Sequence, residues 1–407
     1  MRYTVLSSTM MRGVQMTATA VTAAMIAGPA WGQCMYEVAE LADWDCPLGQ
    51  TVVALAVNDE GVVAGYHGPC FGDGYYACMW PEPDELVTLD FPGPFIDAQA
   101  RDINSQGLVV GYVVRSDEEP GHVAFTYDGS AYVFLPTVPD AYITEAYAVN
   151  EKGTVTGGSY GGDGALRALL WRDGEMLDLS PDIPAQRAQG YGVNDADQVV
   201  GWMGVSPAVD AHAFIWDDGE VTDLGIVPGG YTAQATAINN RGEVVGKGRV
   251  ETRHGRGWKM HPFRWADGTM TDLTVGTEWT SGRAWDINDL GQIVGDAVHD
   301  GTAVGFLWQH GKLHDLNGLV PPRELKITYV YGINNLGQIV AERGKGILLT
   351  PIDRPQGDVD CDCKVGVTDL VFLLSEWSKT ESLADLNKDG IVDVLDLLIL
   401  LGDWSER

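Results

Sequence analysis

The sequence predicts a mainly β fold, a seven-bladed β-propeller of four-stranded antiparallel blades, followed by a small α-helical calcium-binding domain. An Asn-containing turn between two hydrophobic runs recurs at intervals of 44 to 49 residues, with its Asn at 58, 104, 150, 194, 239, 288 and 334. A repeat of this length is typical of propellers and solenoids. No segment before residue 366 has helical periodicity, and two acidic loops follow near the C-terminus.

The first 32 residues have the composition of a secretory signal peptide. Arg2 and Arg12 are their only charged residues, an apolar stretch runs from about residue 14 to residue 27, and small residues follow at a plausible cleavage point. This apolar stretch is shorter than the roughly 18–20 residues that a membrane span needs. We therefore expect an exported chain, secreted or associated with the cell surface, with no membrane span.

Export would place all six cysteines in an oxidising compartment. Two pairs are close enough in sequence to close short loops, and proximity is the sole basis for pairing them. These disulfide candidates are Cys34 with Cys46 and Cys70 with Cys78. The roles of Cys361 and Cys363 stay open.

The chain is strongly acidic, with a net charge of −31 at pH 7, and loss of the two signal arginines would take it to −33. A surface of this sign argues against nucleic acid and anionic lipid as partners. The charge identifies no partner by itself.

Each repeat predicts four strands. In residues 284–316 the strands are "AWDIN", "GQIVGDAV", "VGFLWQ" and "KLHDL", and the turns "NDLG" and "HG" contain Asn and Gly, which form tight turns at low steric cost. The propeller is expected to span residues 33–351. The last repeat lacks a fourth strand, and Glu37–Leu41 matches that segment of the other repeats, so we expect this N-terminal strand to close the ring.

The third strands carry a resemblance. "HAFIWDDGEVTDLG" at 212–225 resembles the HAF repeat of exported bacterial repeat proteins, and looser copies occur at 76–80, 122–127, 167–171, 261–265 and 304–308. The resemblance covers about residues 36–350. It implies a propeller fold and says little about activity, because that family is poorly defined in function.

The long loops and the crossovers between repeats share one face of such a fold, opposite the tight turns, and function tends to lie on such loops. The strongest ligand candidate is "RHGRGWKMH", whose cationic and aromatic side chains suit an acidic sugar. The alternative is a solvated basic loop that balances acidic neighbours. The candidate residues, including one Trp from a crossover, are Arg253, His254, Arg256, Trp258, Lys259 and Trp279. The sequence identifies no catalytic residue.

Residues 352–357 form a short linker, and residues 358–407 contain two copies of an acidic loop followed by a Leu-rich helix. Calcium takes about six to eight oxygen ligands, which an EF-hand-like loop supplies from alternate positions and from its last place. The predicted calcium ligands are Asp358, Asp360, Asp362, the Lys364 carbonyl and Asp369 in the first loop, and Asp385, Asn387, Asp389, the Ile391 carbonyl, Asp393 and Asp396 in the second. Cys363 replaces the Gly of the sharp turn, so the second of the two calcium sites is better supported than the first.

The tandem copies resemble a type I dockerin domain, in which calcium-loop and helix units bind a cohesin partner. The resemblance implies bound calcium and a cohesin-like protein partner. The contact positions of that family, often Ser-Thr, correspond here to Val367 and Thr368 in the first copy and to Val394 and Leu395 in the second.

These features favour an exported, non-enzymatic recognition or scaffold propeller that is anchored to a protein partner through its calcium-binding tail. The alternative is a polysaccharide-active enzyme, a glycoside hydrolase or polysaccharide lyase, since dockerins often anchor such enzymes. A structural surface protein without a specific ligand is the third reading. Polysaccharide is therefore the second class of partner that we expect.

Overall fold

A computed structural model describes residues 36–43, 52–68, 74–91, 93, 95–115, 121–185, 187–204, 211–251, 257–321, 325–352, 357, 365–379, 382, 384–387 and 389–404. The predicted signal peptide lies outside these residues. The chain divides into two compact units, one comprising Tyr36–Asn317 and Pro322–Pro351 and the other including Ile352–Arg407.

The first unit is built from β-strands and one short 3-10 helix that begins in it, Leu316–Gly318. In chain order the strands are β1 (Tyr36–Glu40), β2 (Val52–Val57), β3 (Val63–His67), β4 (Tyr76–Glu82), β5 (Glu85–Thr88), β6 (Phe95–Ile103), β7 (Val109–Arg115), β8 (His122–Tyr127), β9 (Tyr132–Phe134), β10 (Ala141–Val149), β11 (Val155–Gly161), β12 (Leu166–Arg172), β13 (Glu175–Asp178), β14 (Ala188–Val193), β15 (Val199–Gly204), β16 (Ala211–Asp217), β17 (Glu220–Gly225), β18 (Gln234–Ile238), β19 (Val244–Glu251), β20 (Trp258–Ala266), β21 (Thr269–Asp272), β22 (Ser281–Ile287), β23 (Ile293–His299), β24 (Thr302–Gln309), β25 (Lys312–Asp315), β26 (Tyr329–Ile333), β27 (Ile339–Glu342) and β28 (Gly346–Pro351).

Within the described residues these strands form six sheets, five of four strands and one of eight. Most four-stranded sheets are antiparallel meanders of consecutive strands, such as β2–β5 and β22–β25. The eight-stranded sheet joins two such meanders, β6–β9 and β10–β13, through one parallel pair, His122 with Ile143. The predicted mainly β architecture of four-stranded antiparallel sheets is confirmed.

The last sheet is completed by the first strand. Its order is β1-β28-β27-β26, and Val38 of β1 lies opposite Leu349 of β28. The predicted closure by an N-terminal strand is confirmed, with Tyr36–Glu40 as the strand. This pairing covers the edge of β28, which would otherwise offer unpaired backbone groups to another chain.

The seven repeated Asn side chains form a closed ring of hydrogen bonds. Each side-chain Nδ2 donates to the carbonyl of the next Asn at 2.7–3.2 Å, and the last one, Asn334, donates to Asn58. The Oδ1 atom of the same side chain accepts from the turn, as Asn288 does from the amides of Leu290 and Gln292 at 3.1 and 3.0 Å. One residue type therefore both shapes the turn and ties neighbouring repeats together.

The hydrophobic core lies between successive sheets. Third-strand aromatic side chains are its largest fully buried members, as Phe306 shows by packing with Val245 of the preceding repeat. Burial of such a side chain contributes about 1.5–3 kcal/mol to folding.

The second unit has two helices, α1 (Val367–Ser375) and α2 (Val394–Gly402). The side chain of Asp393 accepts a hydrogen bond from the Leu395 amide at 2.7 Å and so caps α2. Leu373 of α1 and Leu400 of α2 share a buried cluster with Val365 and Val392. None of the described helices has the length and apolarity required to cross a membrane.

Candidate functional site

The first strand of every repeat is interrupted at the same place. Its pairing with the second strand skips one residue, three positions before the repeated Asn, in all seven repeats. A β-bulge of this kind redirects the side chain of the extra residue. The bulged residues are Leu55, Arg101, Tyr147, Tyr191, Thr236, Trp285 and Tyr331.

The bulged residues line one cavity. Together with Tyr66 and Lys247 from two second strands, they enclose a volume of about 360 Å³, which we call the axial cavity. This volume lies at the lower end of the range for ligand pockets, about 300–1,000 Å³. Five of the nine lining side chains are aromatic, and the two charged ones, Arg101 and Lys247, are both cations.

In six of the seven repeats a glycine of the second strand lies beside the bulge. A Cβ atom added to Gly246 would lie 2.0 Å from the carbonyl oxygen of Gln234 and 2.8 Å from the ring of Phe263. The equivalent glycines of five other repeats would meet a carbonyl oxygen at 1.8–2.0 Å, namely Gly65, Gly111, Gly157, Gly201 and Gly295. Close backbone approach therefore favours Gly at this place in six repeats, whereas the seventh repeat, which has the same bulge, has Ala341 there.

Arg101 lies between two tyrosine rings. Its Cζ atom is 5.6 Å from the ring centroid of Tyr112 and 5.7 Å from that of Tyr147, distances at which a cation interacts with the ring face. The Nε atom of Arg101 is buried and makes no hydrogen bond. In the part of the chain that the structure describes, no carboxylate forms an ion pair with this guanidinium group.

Tyr147 belongs to a fixed polar network. Its hydroxyl donates to Glu145, which also hydrogen-bonds His122, and the Tyr147 oxygen accepts from Gln189 Nε2 at 2.8 Å. Burial, reinforced by the Glu145 charge, raises the pKa of Tyr147 far above its usual range. Burial also acts to raise the pKa of Glu145, but the hydrogen bonds from His122 and Tyr147 outweigh it and lower that pKa. Glu145 is therefore held as a carboxylate with its acceptors occupied.

Lys247 lies over an indole ring. Its Nζ atom is 3.9 Å from the ring centroid of Trp285. Burial lowers the pKa of Lys247 to about 8, and repulsion from Arg283 acts in the same direction against attraction by Asp296. Asp296 accepts a hydrogen bond from Trp285 Nε1 at 2.5 Å and forms no ion pair with Lys247.

Two further tyrosine hydroxyls of the cavity wall also donate to fixed acceptors. Tyr191 donates to Gln189 Oε1 at 2.9 Å, and Tyr331 donates to Glu342 at 3.2 Å. The wall is thus held in place by its own hydrogen bonds, while Arg101 and Lys247 form no ion pair with any described carboxylate. Such a cavity is preorganised for ligand binding.

The axial cavity is not among the sites predicted from the sequence. Its signal is nevertheless present in the sequence, because each bulged residue lies between two residues that are mostly small. Arg101, for example, lies between Ala100 and Asp102, and Tyr147 between Ala146 and Ala148. The bulged position varies among the repeats, whereas the Asn three positions later does not. This contrast would have located the cavity wall.

The predicted ligand loop is described in part. Arg253, His254 and Arg256 lie outside the described residues, whereas Lys259 is exposed in β20. Trp258 is 52% exposed, and the Arg249 guanidinium lies 4.4 Å from its ring centroid.

Trp279 was expected to belong to that loop surface, and the structure corrects this. Its side chain is 7% exposed and stacks on His299 with ring centroids 4.5 Å apart, in the core cluster that contains Phe306. Trp279 is therefore a packing residue rather than an open platform for a ligand.

Of the six cysteines, Cys78 is the one that lies within the described residues. Cys78 is a free thiol, fully buried, and burial raises its pKa well above the ordinary value. Because Cys78 is free, the structure does not contain the predicted disulfide between Cys70 and Cys78. Cys34, Cys46, Cys70, Cys361 and Cys363 lie outside the described residues, so the Cys34–Cys46 pairing stays a prediction.

The second predicted calcium loop has the turn that such a loop needs. Gly390, at its sixth place, has a φ of +96°, a conformation that favours glycine. The amides of Asp389 and Gly390 donate to the Asp385 carboxylate at 3.2 and 2.9 Å. The Asp396 carboxylate at the closing place is fully buried and accepts from the amides of Leu386 and Asp393 at 2.6 and 2.8 Å.

The donor set of this loop fits calcium, because its ligand atoms are carboxylate, amide and carbonyl oxygens. The carboxylates are not gathered around one point, however. Among the described His, Cys, Asp and Glu residues, the group of three with ligand atoms within 4.8 Å of one another is Glu278, His299 and Asp300. Bound calcium would have to draw the loop oxygens together.

The first predicted calcium loop lies mostly outside the described residues, which omit Asp358, Asp360, Asp362 and Lys364. Its closing residue, Asp369, is fully buried and accepts from the Gly366 amide at 2.8 Å. This arrangement repeats that of Asp396 and Asp393 in the second loop.

The predicted partner-binding positions Val367, Thr368, Val394 and Leu395 are all exposed. Each helix continues this surface at helical spacing. Val371 and Leu374 follow on α1, and Leu398 and Leu401 follow on α2, each 40–60% exposed. The two helices therefore carry equivalent exposed apolar stripes.

Comparison with solved structures indicates the fold alone. An acylaminoacyl peptidase in complex with Z-Gly-Gly-Phe-chloromethyl ketone has a TM-score of 0.50 at 12% identity, covering 74% of this chain and 51% of that chain. The acylaminoacyl peptidase of Pyrococcus horikoshii has a TM-score of 0.49 at 12% identity, with the same two coverages. The β-propeller domain of the Trilobed protease from Pyrococcus furiosus also has 0.49 at 12% identity, covering 72% of this chain and 90% of that domain.

The match covers about half of the length of these two peptidases, and at 12% identity it concerns the fold and no activity. No match to a curated protein was found. The family model described as "Protein of unknown function (DUF3466)" matches residues 49–368, well over half of the chain. The chain belongs to the DUF3466 family.

Proposed function

We propose that this chain is an exported recognition protein whose seven-bladed propeller of HAF-type repeats binds a ligand in the axial cavity. The observation that carries the proposal is the contrast between two positions of the repeat. The turn Asn is the same in all seven repeats, whereas the bulged position holds Leu, Arg, Tyr, Thr or Trp. A purely structural position would keep one residue type, as the Asn does. Specialised residues at a position directed into a cavity favour ligand recognition over a scaffold role.

The fixed wall supports binding rather than turnover. Tyr147, Tyr191 and Tyr331 each donate their hydroxyl proton to a neighbouring side chain. Side chains held in this way lose little conformational entropy when a ligand binds. The second candidate function is that of a polysaccharide-active enzyme that uses the same cavity.

A cavity-filling substitution tests this proposal. In the full chain, Thr236→Trp places a large ring in the axial cavity, while Thr269→Trp, at an exposed position of β21, is the matched control. We expect saturable calorimetric binding of at least one member of a panel of neutral and acidic oligosaccharides to the wild type and to T269W, and its loss in T236W. Binding that survives T236W in a folded protein would place the site elsewhere. Turnover of a panel member would favour the enzyme.

We further propose a calcium-binding dockerin-like tail that anchors the chain to a cohesin-like protein. The equivalent apolar stripes on α1 and α2 favour this role, since exposed apolar patches mark interaction surfaces. Asp385, Asn387 and Asp389 would hold calcium in the second loop with Asp393, Asp396 and the Ile391 carbonyl. The ion would stabilise the loop that precedes α2.

Calcium titration of the full chain by calorimetry tests the tail. We expect the double variant Asp385→Ala with Asp389→Ala to lose one binding event, while Glu60→Gln, a charge change in an exposed propeller turn, leaves the titration unchanged. Val394→Asp should then weaken binding of a type I cohesin domain in the presence of calcium. Absence of calcium binding to the wild type would exclude the dockerin-like reading.

A further inference from the structure

The charged donors of the axial cavity are the feature from which a ligand class follows. Of its nine lining residues, two are charged, and both are cations. Arg101 belongs to the second repeat and Lys247 to the fifth, so the two approach the cavity from opposite parts of a ring of seven repeats. A chain with a net charge of −31 has ample acid to neutralise them. Their lack of an ion pair therefore needs an explanation.

Burial makes such cations costly. The Nε atom of Arg101 is buried without a hydrogen-bond partner, and the guanidinium is bounded by two tyrosine rings. Buried polar groups are almost always hydrogen-bonded, and leaving one unpaired is energetically unfavourable. Lys247 is over the Trp285 ring and likewise makes no ion pair within the described part of the chain. Among the described residues, the cavity therefore holds two positive groups that form no ion pair.

Three nearby acids have their carboxylates hydrogen-bonded to other donors, and a fourth, Asp97, has a buried Oδ1 atom without a hydrogen bond but forms no ion pair with Arg101 in the described part of the chain. Glu145 accepts from Tyr147, Glu342 from Tyr331 and Asp296 from Trp285. These bonds also direct the hydroxyl and indole protons towards the acids. The charged donors left for a ligand are Arg101 and Lys247.

We propose that the axial cavity binds a ligand through a carboxylate or phosphate group, which the Arg101 guanidinium holds and the Lys247 ammonium neutralises. This inference rests on the proposed recognition function and deepens it. A guanidinium group binds both kinds of anion through paired N–H donors, whereas an ammonium group acts as a point charge. The tyrosine rings would then contact the uncharged part of the ligand.

Matched ligands and variants of the full chain test the inference by calorimetry. Digalacturonate is compared with its neutral methyl ester, and glucose 6-phosphate is compared with glucose. Binding of digalacturonate would identify a carboxylate as the recognised group, and binding of glucose 6-phosphate would identify a phosphate. We expect the charged member of one pair to bind and its neutral partner to bind at least about tenfold more weakly, as loss of a charge-assisted contact implies. Arg101→Gln should weaken the anion at least about tenfold, Arg101→Lys less, and Lys247→Gln to an intermediate degree.

Arg172→Gln is the matched control, because Arg172 lies near the exposed turn after β12 and pairs with Asp197 at 3.3 Å outside the axial cavity. It should leave the anion affinity unchanged. Equal binding of the neutral ligands, or unchanged anion binding by a folded Arg101→Gln protein, would overturn the inference while leaving ligand recognition intact. Failure of both charged probes to bind would overturn it as well. If no oligosaccharide of the wider panel bound either, the proposed recognition function would also be contradicted.

Discussion

Asn334 Nδ2 donates a hydrogen bond to the carbonyl oxygen of Asn58 at 2.7 Å, across 276 residues of sequence. This bond is the seventh of the ring, and the other six each join repeats that are adjacent in the chain. A local turn motif thereby becomes the device that closes the fold. The Asn ring is accordingly the first place to test the energetics of the structure.

Substitution of one ring member should be costly. Asn288 is 3% exposed and serves as donor to Asn334 and as acceptor for two turn amides. Asn288→Ala should lower the free energy of unfolding by about 2–4 kcal/mol, because buried groups lose their partners. Asn288→Asp should be at least as harmful, since a carboxylate would face the Asn334 carbonyl. Urea denaturation measures both.

The control for this prediction is Asn240→Ala. Asn240 follows the ring residue Asn239 and makes its hydrogen bonds at the exposed surface. Its loss should cost less than about 1 kcal/mol, as is usual for exposed polar contacts. An Asn288→Asp protein as stable as the wild type would contradict the assigned role of the ring.

The closing strand should protect an edge. Deletion of Tyr36–Glu40 would expose β28, which pairs with β1 along its length, and would remove the buried Tyr36 ring. We expect a lower denaturation midpoint and concentration-dependent association, because an open edge strand pairs with other chains. Light scattering and urea denaturation measure these effects. Glu37→Ala, at an exposed position of β1, should change neither; a monomeric deletion variant of wild-type stability would contradict the prediction.

Asp102 should make stability depend on pH. Its carboxylate accepts from the amides of Val149 and Ile103, each at 2.8 Å, and although the side chain keeps some solvent exposure, the surrounding protein raises its pKa to about 7. A raised carboxyl pKa stabilises the fold fully below the ordinary pKa and loses that contribution as pH rises through about 7. This group therefore favours the fold more at about pH 5 than at about pH 8.

Denaturation of the wild type and of Asp102→Asn at those two pH values measures this contribution. The substitution removes one acceptor, so the informative quantity is the change with pH rather than the absolute stability. The stability advantage of the wild type over D102N should shrink as pH rises. The equivalent Asp286, whose pKa burial raises to about 6, should respond in the same direction after Asp286→Asn. A difference that is constant with pH would refute the assignment.

Lys247 should make anion binding depend on pH. Because burial lowers its pKa to about 8, its charge is present below that pH and lost above it. The charged groups that face it are Arg283 on β22 and Asp296 on β23. Anion affinity should therefore fall between about pH 7 and about pH 9, and Lys247→Arg should remove most of that fall. Calorimetry at the two pH values measures this change in anion affinity. An equal loss of affinity in Lys247→Gln would show that another group causes the pH dependence.

The sequence by itself determined the repeated unit and the way it closes. The Asn-x-x-Gly turns, the alternation of apolar residues and the missing fourth strand are local properties, and each predicted what the structure has: meanders of four strands and β1 beside β28. Trp279 shows the limit of local reasoning. An aromatic residue in a crossover segment predicted a ligand contact, yet packing against His299 and the core of the next repeat buries it.

Tertiary structure alone decided where the candidate site lies. Arg101 and Lys247 are 146 positions apart, on a first strand and a second strand, and nothing in either neighbourhood marks them as a pair. Both line one cavity because a bulge redirects one side chain of each first strand and because the Asn ring brings all the repeats around one axis. The cavity is a property of the closed ring, since its wall takes at least one residue from every repeat.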